Sequence, residues 1–302
     1  MKGWACWKAC VVLVALSAAL GLAACDLDDL VAAGVQSSSV QTAAFTTVGT
    51  PTVDVESANG AVSLRSVTGQ EDVRVTATLR SRGATQSEAD DRVSRMIVHM
   101  TQDGDRIVLS YVLSEQPLDI RKYSGVEFDV TLPQAADAVV DTSNGAVSVS
   151  GLSGIAQLET SNGQIAVDRF IGELLADTSN GQIVVSDSEA VFRLATSNGA
   201  IVMTNLEGLV DAKTSNGLIS FSGRLADGAS RMHTSNGRIR VEIPSSSAVA
   251  LVAETSNEAI SSDLPWIGDT TGRSWSATLN APATANLSLS TSNGSIWIGA
   301  RP

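Results

Sequence analysis

The sequence predicts an all-β protein built as a single elongated β-solenoid of about 18-residue coils, with an irregular β entry segment and one short helix. Three observations support this prediction. The tripeptide TSN occurs eight times, its asparagines recur at a nearly fixed interval, and apolar residues alternate with polar ones on both sides of it. A fixed period is typical of repeat architectures, and two-residue alternation is typical of half-buried strands.

The repeat is strictest in the middle of the chain. Its asparagines are spaced first by 18 residues, then by 20, 21 and 36; they are Asn144, Asn162, Asn180, Asn198, Asn216, Asn236, Asn257 and Asn293. Glycine follows seven of them, Glu258 follows Asn257, and a related SANG stands at residues 57–60. We expect these asparagines to form a structural ladder at the turns, because stacked coils place equivalent amides about 4.8 Å apart, where they can bond one another.

Apolar residues mark the inward positions of two strands per repeat. Six repeats carry an apolar residue four positions before the asparagine, three after it and five after it: Val140, Leu158, Ala176, Leu194, Ala212 and Met232; Val147, Ile165, Ile183, Ile201, Ile219 and Ile239; Val149, Val167, Val185, Met203, Phe221 and Val241. Asn-Gly between strands is also the strongest hairpin signal, so an antiparallel sandwich or meander is the alternative. A hairpin requires only Asn-Gly, whereas here all of TSNG is repeated, which favours the solenoid.

Residues 1–24 are predicted to be a lipoprotein signal peptide. Two lysines precede an apolar run of 16 residues, Ala9 to Ala24, which is shorter than the roughly 20 needed to span a bilayer. Leu22-Ala23-Ala24-Cys25 resembles a bacterial lipobox, so Cys25 is the predicted lipidation site, and ordinary secretion is the alternative. Two acyl chains on Cys25 would give stable membrane anchoring without a spanning helix.

The rest of the chain divides into three predicted segments. Residues 25–50 are small and polar after an acidic start, and form a lipidated tether. Residues 51–140 form the irregular N-terminal β segment, with a helix beginning near Thr85 or Ser87, where a capping side chain precedes acidic residues. Residues 141–302 form the regular TSNG-repeat solenoid with a C-terminal cap. The cap contains Trp266, Trp275 and Trp297, for which an aromatic binding platform is the alternative to capping.

The composition limits the chemistry that the chain can perform. Loss of Lys2 and Lys8 with the signal peptide changes the net charge from −12 to −14, which argues against a nucleic-acid partner. With only His99 and His233, a Ser-His-Asp triad is hard to build, and no catalytic residue or cofactor is predicted. Glu56, Asp141, Glu159 and Asp177 share one outward column. The last three are weak candidates for a calcium site, and a solvated acidic stripe is the simpler interpretation.

The lipobox, the irregular β segment and the TSNG run closed by STSNGSIWIG together resemble the bacterial putative-adhesin family of β-strand-repeat proteins. The resemblance covers most of residues 51–302. It implies an envelope protein of uncharacterised function and supplies no catalytic residue to carry over. Glu258 and the spacing after Asn216 depart from the pattern.

These observations predict a lipid-anchored protein of the bacterial cell envelope. It would be extracytoplasmic and would present a rigid surface for adhesion or assembly without catalysis. The expected partners are the membrane, through the lipid, and an envelope protein or glycan. The alternative is an extracytoplasmic enzyme or accessory factor acting on cell-wall or surface polysaccharide, with acids of the outward column as its working groups.

Overall fold

The computed structural model describes residues 15–16, 34–114 and 122–301 and shows a stack of ten layers. Each layer gives one strand to sheet A, which precedes the turn, and one to sheet B, which follows it. In spatial order sheet A contains β7 (Arg106–Leu113), β3 (Thr52–Ser57), β9 (Asp137–Thr142), β11 (Ser153–Thr160), β13 (Ile171–Thr178), β15 (Glu189–Thr196), the second half of β16 (Ile201–Thr214), β18 (Gly228–Thr234), β24 (Ala285–Thr291) and β20 (Val249–Thr255). Sheet B contains β8 (Ser124–Leu132), β4 (Val62–Ser66), β10 (Val147–Ser150), β12 (Ile165–Asp168), β14 (Ile183–Ser186), the first half of β16, β17 (Ile219–Leu225), β19 (Ile239–Ile243), β25 (Ile296–Ala300) and β21 (Ile260–Ser262).

All ten layers pair in parallel, which confirms the predicted solenoid. In the middle of the stack the register follows the sequence period, since Leu158 lies beside Ala176 and Ile165 beside Ile183. At about 4.8 Å per layer the stack is about 43 Å long. The predicted inward residues form the core and are all at most 3% exposed.

In four successive coils of the middle of the stack the opposite corner, where sheet B returns to sheet A, has left-handed backbone. Gly151, Arg169, Asp187 and Asn205 stand there at 18-residue spacing, with φ between 50° and 73°. Each of the first three donates its N–H to a carbonyl of the next layer, as Arg169 does to Ser186 at 3.1 Å. This corner therefore needs a residue that tolerates positive φ, and its side chains can also meet between layers, as Asn205 Nδ2 does when it donates to Asp187 Oδ1 at 2.5 Å.

The N-terminal end is closed by antiparallel strands and a helix. Strand β5 (Asp72–Gly83) pairs with β8, β2 (Val35–Thr46) pairs with β5, and β6 (Met96–Asp103) pairs with β7. The helix α1 (Gln86–Ser94) begins at Thr85, whose hydroxyl accepts from the Glu88 N–H. The predicted helix and its Thr85 cap are thus confirmed, and α1 packs against β5 and β2.

Strand β2 corrects the predicted tether. Residues 35–46, assigned to a flexible segment, form a twelve-residue strand that buries Ser39, Ala43 and Phe45. Hydrogen bonds from Ser37 and Gln86 also lower the pKa of the Asp90 carboxyl on α1. The strand was missed because seven of its twelve residues are polar and the apolar ones do not alternate regularly, and its pairing comes from the open edge of β5. The strand β1 (Ala15–Leu16) pairs antiparallel with β2.

At both ends the spatial order of layers differs from the chain order. The layer of β3 and β4 lies between the later β7–β8 layer and the β9–β10 layer. Likewise the β24–β25 layer lies between β18–β19 and the earlier β20–β21 layer. The segment predicted to be irregular therefore supplies complete layers of the same stack, and the last repeat in sequence fills the last but one position in space.

The C-terminal end is capped, as predicted, by β23 (Ser274–Leu279), antiparallel to β20, with β22 (Ile267–Asp269) beyond it. Trp275 of β23 is buried. The half-buried Trp266 donates from Nε1 to Ser262 Oγ at 2.8 Å, and the guanidinium of Arg240 lies 4.0 Å from the ring centroid of Trp297. These contacts support capping over an open aromatic platform.

Candidate binding surface

The TSNG corner is held by a buried threonine that bridges two layers. Thr178 Oγ1 accepts from the Gly181 N–H at 3.1 Å and donates to the Gly163 carbonyl of the layer below at 3.2 Å. The same pair of bonds recurs at Thr160, Thr196, Thr214, Thr234 and Thr291. The inward threonines thus bond to glycine backbone, which satisfies buried groups that sheet pairing leaves unpaired.

The glycine of the corner is needed for close approach. A Cβ built on Gly181 would lie 1.7 Å from the Gly163 oxygen. At all seven glycines of the TSNG corners the corresponding distance is 1.7 to 1.9 Å. The φ angles of these glycines lie outside the left-handed region, so the Asn-Gly pair is not a hairpin turn. Glu258 replaces glycine only in the layer at the C-terminal end of the stack.

The predicted asparagine ladder is present and contains one more member. From the second member onward each Nδ2 donates to the Oδ1 of the preceding layer at 2.5 to 2.9 Å, and Asn59 Nδ2 at the start donates to the Ser124 carbonyl at 3.2 Å. The spatial order is Asn59, Asn144, Asn162, Asn180, Asn198, Asn216, Asn236, Asn293 and Asn257. Asn59 belongs to the SANG relative, so its signal was visible in the sequence. Asn293 precedes Asn257 in the ladder because its layer precedes that of Asn257 in the stack. No feature of the sequence near these asparagines indicates this order.

The acidic column lies on the outer face of sheet A. Glu56 is in register with Asp141, Asp141 with Glu159, and Glu159 with Asp177. All four side chains are exposed, and the described residues provide no ion pair or side-chain hydrogen bond to any of them. The structure therefore brings the three candidate ligands together, but the described part of the chain contains no group of three or more such side chains placed to hold a metal ion.

The column changes character further along the stack. Ala195, Lys213 and His233 follow Asp177 in register, and His233 Nδ1 lies 2.7 Å from Ser290 Oγ. The column therefore changes from negative to positive charge within two layers along the stack. His233, which occupies the outward column, is half-buried at the surface of sheet A.

A groove of about 530 Å³ runs along this face and is called here the sheet-A groove. Two adjacent outward columns of sheet A line it. The first, called here the wall, runs from Asp141 to Lys213. The second, called here the floor, contains Val139, Gln157, Leu175, Arg193 and Asp211. The groove thus joins a charged wall to a partly apolar floor across five layers.

The predicted anchor lies outside this surface. Cys25 and, apart from residues 15–16, the predicted signal peptide lie outside the described residues. No helix in the described part is long and apolar enough to cross a membrane.

The chain is similar to three solved bacterial structures. A "putative cell adhesion protein" from Clostridium sporogenes ATCC 15579 is 10% identical, with 87% of this chain and 99% of that chain covered and a TM-score of 0.24. A "putative adhesin" from Bacteroides fragilis NCTC 9343 is 12% identical, with 86% and 96% covered and a TM-score of 0.38. A "putative adhesin" from Parabacteroides distasonis ATCC 8503 is 8% identical, with 86% and 96% covered and a TM-score of 0.39.

No curated protein matches the chain. The family model described as Toastrack DUF4097 matches residues 53–299, which include nearly all of the ten-layer stack. The chain therefore belongs to the Toastrack DUF4097 family.

Proposed function

We propose that this protein is a lipid-anchored component of the bacterial cell envelope that presents a rigid, non-catalytic surface for adhesion or for assembly with another envelope component. The observation that carries the proposal is the continuous face of sheet A. Ten parallel strands in register form a face about 43 Å long, and the asparagine ladder joins nine of the ten layers. A face of this kind can hold a partner without reorganising.

The anchoring part of the proposal rests on the lipobox-like sequence before Cys25 and on its distance from the fold. Strand β2 begins at Val35. Ten residues can span at most about 35 Å when fully extended, so a lipid on Cys25 would hold the stack close to the membrane surface. The short connection also places the N-terminal end of the stack nearest to the lipid.

Anchoring is tested by comparing the native protein with Cys25→Ala. The native chain should partition into the detergent phase of Triton X-114 and gain the mass of a diacylglycerol after loss of residues 1–24, whereas Cys25→Ala should remain in the aqueous phase. Equal partitioning of both proteins would contradict the lipid anchor and leave the surface role to be judged separately.

The surface role is tested with beads that carry residues 26–302. Such beads should bind isolated envelopes or intact cells of the source bacterium more than beads that carry a heat-denatured sample. Retention no higher than that of the denatured sample would contradict the proposed role.

A second function is favoured by the position of Glu159 beside Asp177. Adjacent strands place their carboxyl groups at about the 5 Å separation that retaining glycosidases use. Incubation of the purified domain with cell-wall and surface polysaccharide should release soluble sugars if this function holds. Release by the wild type but not by Glu159→Gln or Asp177→Asn would replace the non-catalytic proposal.

A further inference from the structure

We infer that the sheet-A groove binds an extended, positively charged peptide segment of a partner protein. The inference rests on the proposed surface role and specifies the partner. Its first basis is the size and lining of the groove, about 530 Å³ with Val139 and Leu175 half-buried in the floor. This volume is far larger than a single ion requires, and it leaves room for a segment of chain.

The second basis is the contrast between the wall and the neighbouring columns. On the floor, Arg193 lies in register with Asp211 and Asp211 with Arg231, and Arg193 also pairs with Glu173. Charges there alternate in sign. On the wall, Asp141, Glu159 and Asp177 stand in successive layers, and Glu56 continues the column one layer beyond the groove. Among the described residues no cation stands between these four acids.

Like charges directly opposite each other destabilise a sheet. The acidic wall therefore costs stability that the floor column avoids, and basic side chains of a partner would offset that cost. The mature chain's net charge of −14 adds a general attraction for such a partner.

The spacing of the wall fits an extended chain lying along the stack. Three layer intervals separate Glu56, which lies one layer outside the groove, from Asp177, a distance of about 14 Å. Side chains i, i+2 and i+4 of an extended peptide span about 13.6 Å, at 3.4 Å per residue. Lys213 stands two layers beyond Asp177, so an acidic group about three residues further along the peptide would meet it.

The partner is a peptide and not an uncharged glycan because none of the groove residues is aromatic, and aromatic faces are what sugars usually stack on. The inference thus gives the segment a pattern of three basic side chains at alternate positions, followed by an acidic one.

The test uses fluorescein-labelled KVKVKSSE as the probe and the charge-reversed EVEVESSK as its control, with binding followed by fluorescence anisotropy. The full mature chain carrying Cys25→Ala should bind the first peptide at least tenfold more tightly than the second. The triple variant Asp141→Asn, Glu159→Gln and Asp177→Asn should weaken binding at least tenfold, while its melting temperature stays equal or rises because repulsion is removed.

The matched control variant carries Asp227→Asn, Glu258→Gln and Asp263→Asn. These acids are exposed and lie outside the groove, and their neutralisation changes the net charge by the same amount. Binding should then change less than twofold. Equal weakening by both triple variants would show general attraction by net charge and overturn the inference, as would no binding by the wild type.

Calcium provides a further arm of the test. If calcium chloride at millimolar concentration raises the melting temperature of the wild type but not of the Asp141 triple variant, and abolishes peptide binding, the wall is a cation site and the inference is wrong. If the peptide does not bind but the beads still bind envelopes, only this inference is contradicted. If the peptide binds but the beads do not bind envelopes, only the proposed function is contradicted.

Discussion

The two corners of each coil occupy the same stack but constrain the sequence very differently. At the TSNG corner the glycine backbone of one layer lies against the glycine carbonyl of the layer below, and a Cβ on Gly181 would lie 1.7 Å from the oxygen. At the opposite corner Gly151, Arg169, Asp187 and Asn205 share one backbone conformation with four different side chains. The faithful repetition of TSNG therefore reflects contact between layers, and a turn conformation alone leaves the sequence free to vary.

The largest expected effect comes from filling the close approach. Gly181→Ala places a methyl group where two layers touch, so the layers must separate or break the Thr178 bridge. We expect a loss of about 4 kcal/mol or more in the free energy of unfolding, at the upper end for overpacking. Thermal unfolding followed by circular dichroism measures the loss.

The matched control for this change is Gly151→Asn at the opposite corner. Gly151 has φ near 73°, and its Cβ would meet only the Oγ of Ser66 at 2.5 Å, the end of a small side chain. Asparagine tolerates this conformation, so the cost should stay below about 1 kcal/mol. Similar losses for the two variants would contradict the distinction between the corners.

Removing the threonine bridge should have the next largest effect. Thr178→Val keeps the shape of the side chain but leaves the Gly181 N–H and the Gly163 carbonyl without their partner. Unpaired buried groups cost about 1 to 3 kcal/mol each, and we expect a total of about 3 kcal/mol by urea unfolding. Thr178→Ser, which retains the hydroxyl, should cost only about 1 kcal/mol for its lost methyl group. A loss as large for serine as for valine would show that packing, not the bridge, holds the corner.

The exposed asparagine ladder should contribute less than the buried bridge. Asn180→Ala removes two ladder bonds, the one donated to Asn162 and the one accepted from Asn198. Because water can replace these partners, we expect a cost of about 1 kcal/mol. Asn257→Ala at the end of the ladder removes one bond and should cost about half as much. Equal melting temperatures for the two variants and the wild type would assign the ladder no stabilising role.

The comparison of corners also explains what the sequence could predict. The 18-residue spacing defines the register of the central layers, and the inward columns follow from alternation, so the solenoid, its core and the ladder were all predictable. The position of the Asn293 layer was not predictable. Its strands pair with two layers that are distant in sequence, and the residue spacing does not specify such pairing. The strand at Val35–Thr46 was missed for a related reason: its pairing is provided by β5, and its own apolar residues do not alternate regularly with polar ones.

The acidic column and its groove were only partly predictable. The sequence placed Asp141, Glu159 and Asp177 in one outward column, and the structure has them there. The floor, with Leu175 beside Arg193, was not recognised because residue spacing places side chains in columns but does not specify the conformations that form a groove along them. The opposite corner was harder to predict from the sequence, since its residues Gly151, Arg169, Asp187 and Asn205 are equally spaced but chemically different.

The smallest expected effect is a gain in stability at the opposite corner. Arg169 holds a φ of 50°, a conformation that costs arginine about 1 kcal/mol and that asparagine adopts readily. Arg169→Asn should therefore raise the free energy of unfolding by about 0.5 to 1 kcal/mol. This gain appears as a slightly higher melting temperature. Loss of the exposed ion pair with Asp168 should subtract little, because such pairs contribute about 0 to 1 kcal/mol. Arg169→Ala loses the same pair without relieving the strain, so a gain equal to that of asparagine would show that the backbone conformation is not what limits this corner.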